Sequence, residues 1–187
     1  MYQICVSGGA KGESVEAGRQ LATQLGKVLA GAGLALMTGA TSGLPDFTAA
    51  AYKKAGGMVS LGISPAATKV EHVFKYRLPT AHYDMILYTG LHYVGRDALL
   101  INSADAVISI GGRLGTLHEF AIALETHTPI GLLQGAGGIS TQLESLSAAI
   151  PNASRELVLF EADAKVLVEK ITKLLDKLHR PYRSLYT

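Results

Sequence analysis

Seven short apolar runs, Ile4–Val6, Leu34–Met37, Met58–Ile63, Met85–Tyr88, Ala106–Ile110, Ile130–Leu133 and Leu157–Phe160, punctuate the chain, with helix-length segments between most of them. Runs this short and this continuously apolar are how strands covered on both faces read. Between the first two, Leu21, Leu25, Val28 and Leu29 fall on one helical stripe, and near the end Leu167, Ile171, Leu174, Leu175 and Leu178 do the same. Alternating strands and helices joined by right-handed crossovers predict a Rossmann-like α/β fold, a doubly wound, mostly parallel sheet with helices on both faces. The 187 residues suit one folding unit with no linker or repeat, so the expected domain is 1–187. Only Ser64 to Asp84, broken by Pro65 and Pro79, has no period; it reads as loop with at most a short strand or turn.

Charge narrows the partners. A net charge of +2 gives no strong positive field, so a small molecule is expected rather than nucleic acid. The basic tail of Lys177, His179, Arg180 and Arg183 reads as a solvated helix end. Cys5, between Ile4 and Val6, is the only cysteine; it reads as a small core residue in a reducing compartment. No apolar run approaches the roughly 18 residues of a membrane span, and no secretory pattern is present, so the expected location is cytoplasmic. The histidines (72, 82, 92, 118, 127 and 179) lack H-x-x-x-H spacing and a cysteine partner set, so no metal is expected and His118 is assigned no role.

Open sheets of this kind bind ligands beyond the carboxyl ends of their strands, where the chain order reverses. Three glycine-rich segments follow three of the runs. The first carries Ser7, Gly8, Gly9 and Lys11, the second Gly39 and Gly43, and the third Gly111, Gly112, Arg113, Gly115 and Thr116. The third lies between an apolar run and a helical pattern over Leu117 to Glu125. At such a junction, glycine lets backbone approach an anion, and the free N–H groups of the helix start attract a phosphate. No G-x-G-x-x-G or G-x-x-x-x-G-K-[ST] fingerprint accompanies it. Thr116 and Glu119 also form T-x-x-E, the capping-box pattern in which both side chains only satisfy backbone donors.

Gly112 to Glu119, with Arg96 upstream and Gly43-Leu44-Pro45 earlier, resembles the hallmark P-G-G-x-G-T-x-x-E of the lonely-guy (LOG) phosphoribohydrolases and the related molybdenum-cofactor carriers of the SLOG superfamily. The resemblance covers most of the chain. It implies that Gly112, Gly115 and Thr116 hold a 5′-phosphate and that Arg96 and Glu119 are a catalytic pair. The activity it implies is hydrolysis of the N-glycosidic bond of a nucleoside 5′-monophosphate; the alternative is a carrier or sensor that holds a phosphorylated cofactor or nucleotide intact. No resident cofactor is implied, and family members form dimers or larger assemblies; the apolar face at Phe120–Leu124 could serve one here. Three departures bear on the substrate. Gly111 stands for the hallmark proline, Arg113 for its second glycine, and Tyr93 and Asp97 for the Met and Lys that flank the arginine in plant-type enzymes. Arg113 would either strengthen phosphate binding or narrow the pocket.

Overall fold

A computed structural model describes residues 1–150 and 154–185. The chain runs β1 (Gln3–Gly8), α1 (Glu13–Gly31), β2 (Ala35–Thr38), α2 (Leu44–Lys54), β3 (Ser60–Ser64), α3 (Lys69–Phe74), β4 (Met85–Tyr88), α4 (His92–Asn102), β5 (Ala106–Ile110), α5 (Leu114–Glu125), β6 (Ile130–Leu133), α6 (Leu143–Ala149), β7 (Val158–Glu161) and α7 (Ala164–His179). All seven expected strands form, within two residues of the apolar runs, in one parallel sheet of order β4-β3-β2-β1-β5-β6-β7. The chain therefore steps outward from β1 to β4, then returns to lay β5 on the other side of β1. That reversal sets Ser7 and Gly8 beside Ser109 and Ile110.

The period-two alternation of the strands sorts the core onto two faces. Ile4, Val6, Ile108 and Ile110 pack with α1, α2 and α7, while Cys5, Met37, Val107 and Leu132 pack with α4 and α5. Cys5 is fully buried, as a small core residue should be. Phe120 and Ala123 lie in the second cluster too, so the apolar face of α5 expected to serve an assembly is consumed by the core. No helix among the described residues is long and apolar enough to cross a membrane. In the basic tail, Lys177 and His179 close α7 and Arg180 opens a 3-10 turn; the side chain of Arg183 lies outside the described residues.

The stretch from Ser64 to Asp84 contains a helix, α3, where the sequence suggested loop. Thr68 caps it, its hydroxyl accepting from the Glu71 N–H at 3.1 Å while the Glu71 carboxylate accepts from Ala67 N–H at 2.7 Å. This is a variant of the capping box, with the return bond one residue upstream of the N-cap, built on the T-x-x-E at 68–71. Buried His72 ties α3 down, with Nδ1 2.8 Å from Ser64 Oγ and Nε2 3.0 Å from the Pro79 carbonyl.

Candidate functional site

The loops after β1, β2 and β5 meet at the carboxyl edge of the sheet and are fastened to one another. Leu44 N–H donates to the Gly9 carbonyl at 2.8 Å, Gly9 N–H to that of Ile110 at 3.2 Å, and Ile139 N–H to that of Gly112 at 2.9 Å. The turn at Gly111 and Gly112 has φ of 57° and 88°, and both residues are buried. Gly112 N–H points at Ser14 Oγ, 3.4 Å away. A Cβ on Gly112 would lie 2.0 Å from Thr116 Oγ1, so only glycine fits beneath that side chain.

Beyond this turn Arg113 is the N-cap and α5 begins at Leu114, three residues before the apolar pattern suggested. Thr116 then occupies the third helical position and Glu119 the next turn. The T-x-x-E here is therefore no capping box. The first intrahelical bond recorded at the junction is Leu117 N–H to the Arg113 carbonyl, 3.1 Å. That leaves the Leu114, Gly115 and Thr116 amides as the open donors of the helix start.

These amides face a cavity of about 560 Å³ bounded by β1, the β2 loop, α4 and α5, a size within the roughly 300–1,000 Å³ of small-molecule pockets. Besides the Tyr93 phenol, four ionisable side chains border it, two from each helix. Arg96 of α4 is only 4% exposed. Its Nε lies 3.3 Å from Asp97 Oδ1, an ion-pair distance without hydrogen-bond alignment, and Nε and Nη1 make no hydrogen bond among the described residues. A buried guanidinium with idle donors is costly unless an anion completes it. Room for it comes from Gly39, where a Cβ would stand 1.9 Å from Arg96 Nη1.

Glu119 of α5 is also buried, and Ser7 Oγ donates a hydrogen bond to its Oε2. Burial, reinforced by the Asp97 charge, pushes its carboxyl up to about 7, against the opposing pull of Arg96, Ser7 and His118. Near neutral pH such a group divides between acid and base, the condition for proton transfer in catalysis. The fourth group, His118, places Nδ1 2.8 Å from Asp97 Oδ2.

The SLOG cluster4 family model matches residues 1–167. The chain belongs to this family. An uncharacterized protein of Archaeoglobus fulgidus is 31% identical over 125 residues, 67% of this chain and 75% of its own length. Among solved structures, this SLOG chain is similar to the molybdenum cofactor carrier protein of Chlamydomonas reinhardtii, with a TM-score of 0.75 at 26% identity over 93% of this chain and 98% of that one. It is likewise similar to the molybdenum cofactor binding protein of the phototrophic bacterium Rippkaea orientalis, with a TM-score of 0.72 at 27% identity over 93% and 97% of the two chains.

Within this SLOG site the residues singled out from sequence divide. Arg96, Glu119, Ser7, Gly8, Gly39, Gly115 and Thr116 line the cavity. Gly9, Gly43, Gly111 and Gly112 do not; they form the fastened turns behind it, with Gly43 (φ 83°) serving as N-cap of α2. Lys11 and Arg113 are exposed and stand outside the lining, so Arg113 neither plugs nor narrows the pocket. Tyr93 and Asp97, marked in the sequence only as departures bearing on the substrate, and His118, which was assigned no role, also line the cavity. Each adjoins or shares a helix face with Arg96 or Glu119, but the packing of α4 on α5 that joins Asp97 to His118 leaves no mark in the sequence. Tyr83, from the irregular segment, packs inward, its hydroxyl 2.9 Å from Thr38 Oγ1. Among the described residues no group of three His, Cys, Asp or Glu could hold a metal ion.

Proposed function

We propose that this protein binds a nucleoside 5′-monophosphate and hydrolyses its N-glycosidic bond to free base and ribose 5-phosphate. The observation that carries the reading is the buried pair at the cavity floor: Arg96 with unpartnered donors beside Glu119, whose carboxyl titrates near 7. The phosphate would lie against the Leu114–Thr116 amides, where free N–H groups and the helix dipole favour an anion, with Arg96 supplying the positive charge that the buried site otherwise lacks.

Cleaving a ribosyl–base bond builds positive charge on the sugar. Ionised Glu119 is suited to stabilise that charge and to take a proton from the attacking water, while Ser7 fixes the carboxylate's orientation through Oε2. Incubating the pure protein with a panel of nucleoside monophosphates and measuring free base tests this. Release of base that disappears in Glu119→Gln, with binding retained, supports it; no base released from any member of the panel refutes it.

The alternative, a carrier that holds a phosphorylated cofactor or nucleotide intact, is favoured by one observation: the two solved structures named above are cofactor-binding proteins. Mass spectrometry of ligand retained through purification distinguishes it, because a carrier keeps an intact phosphorylated pterin and a hydrolase turns its ligand over. We also read the protein as a homodimer. The support is a run of exposed apolar side chains on the edge strand β4 (Met85, Leu87) and the start of α4 (Leu91, Val94).

A further inference from the structure

Nothing in the proposed chemistry so far uses the Asp97–His118 pair, yet both residues line the same cavity as Arg96 and Glu119. Asp97 is 4% exposed, and its two oxygens are divided between Arg96 Nε at 3.3 Å and His118 Nδ1 at 2.8 Å. An ionised carboxylate only accepts, so the proton of a neutral His118 ring sits on Nδ1. Nε2 is left with no partner among the described residues, on a ring that borders the cavity and keeps 39% of its side chain open to solvent. A carboxylate behind one ring nitrogen and a free second nitrogen is the arrangement of an imidazole that exchanges protons with a ligand.

Position decides which end of the ligand it meets. Tyr93 and Asp97 are four residues apart on α4, hence on one face of that helix, which puts His118 on the Tyr93 side of the cavity. Tyr93 lines the cavity and is braced edge-on by Tyr76, ring centres 5.5 Å apart at 79°. An aromatic wall beside a hydrogen-bonding imidazole suits a flat heteroaromatic ring, while the anion belongs at the amides of the α5 start and at Arg96.

We infer that His118 Nε2 contacts the heteroaromatic base of the ligand and delivers the proton that the base takes as it leaves, with Asp97 as the positioning residue. The inference rests on the nucleotide reading above. In the step, His118 enters as the imidazolium, having taken a proton from solvent on Nε2 while Asp97 still accepts from Nδ1–H; the C1′–N bond then breaks with its electron pair passing to the base nitrogen, which takes that Nε2 proton. Water adds its oxygen to C1′ and gives its proton to Glu119. Glu119 then releases that proton to solvent, and His118 regains one from solvent. The charged and titratable groups facing the imidazole are Asp97 and Arg96 from α4 and Glu119 from α5, with the Tyr93 phenol beyond them.

The test compares two substrates whose leaving groups differ. His118→Asn keeps a donor for Asp97 but has nothing at the Nε2 position. It should lower kcat on adenosine 5′-monophosphate by about 10²–10⁴-fold, the usual worth of a general acid. On 4-nitrophenyl β-ribofuranoside 5-phosphate, whose leaving group needs no proton, the loss should stay within about threefold on the same principle. Equal losses on both substrates, or no loss on either, overturn the inference. Asp97→Asn should shift His118 from the Nδ1–H tautomer toward a mixture in long-range ¹H–¹⁵N spectra, and an unchanged tautomer overturns the positioning role.

A second arm needs no turnover. Adenosine 5′-monophosphate should move the His118 Nε2 resonance of the full chain, and ribose 5-phosphate, which lacks the base, should leave it in place. Binding proved by calorimetry with His118 unmoved, or moved equally by both ligands, overturns the inference and leaves the nucleotide reading intact. Absence of nucleotide binding by calorimetry sinks that reading and the inference with it.

Discussion

Replacing Glu119 by glutamine should make the protein more stable in alkali while disabling the site, and the size of the gain follows from the structure. The carboxyl is buried and titrates at about 7 instead of its ordinary 4.5. At about 1.4 kcal/mol per pH unit, ionising it in the folded chain costs about 3 kcal/mol. The direction is fixed by linkage. Below pH 4.5 the group is neutral in both states and costs nothing. As the pH rises to 7 the unfolded chain releases the proton and the folded chain does not, so wild-type stability falls; above 7 the full cost is present. Glutamine stays neutral throughout, and its amide oxygen can still accept from Ser7. Urea denaturation followed by circular dichroism should therefore show the variant ahead by about 3 kcal/mol at pH 8.5 and by less than about 1 kcal/mol at pH 5. A difference equal at the two pH values, or a variant less stable at pH 8.5, would refute the reasoning that burial sets this titration.

Gly39→Ala should push a methyl into the Arg96 guanidinium, and calorimetry with adenosine 5′-monophosphate should show affinity falling at least about tenfold, the effect of displacing one charge-assisted contact. Arg113→Ala, by contrast, should change that affinity by less than about twofold, because the side chain is exposed and outside the cavity. With ionised Glu119 as the base, kcat/KM for base release should rise as the pH passes about 7, and a profile flat from about pH 5.5 to 8.5 would remove Glu119 from that role. Leu87→Lys on the exposed edge strand should convert a dimer to monomer in sedimentation velocity, while an unchanged sedimentation coefficient would remove β4 from any interface.

The central strands were legible because they are buried on both faces and so read as continuous apolar runs; β5, Ala106–Ile110, is buried at every position, whereas the edge strand β4 reads the same although Met85 and Leu87 are exposed. The short α3 was hidden between Pro65 and Pro79, although its marker, the T-x-x-E of Thr68 and Glu71, was present. The same four-residue pattern at Thr116 and Glu119 reads identically and means something else, since the φ of 88° at Gly112 starts α5 early and carries Glu119 into its second turn. Which one caps depends on where the helix begins, and that is decided by the packing of the Gly111–Gly112 turn against Ser14. Arg96 and Glu119 could be named from their resemblance to a motif; the idle guanidinium donors and the Asp97–His118 bond exist only once α4 lies on α5.

The hydrogen bond from Ser7 to Glu119 joins residues 112 positions apart. Its formation waits on the pairing of β1 with β5, a closure over most of the polypeptide, and contacts of such span form slowly. In an emerging nascent chain β1 can pair early with β2, and Leu44 can fasten the first glycine turn at Gly9, but the other edge of β1 and the Ser7 hydroxyl wait for β5 and α5. Any amino-terminal fragment that stops short of α5 lacks the acid, the imidazole and the anion-facing amides together, so a truncated product of this gene is empty rather than partly competent.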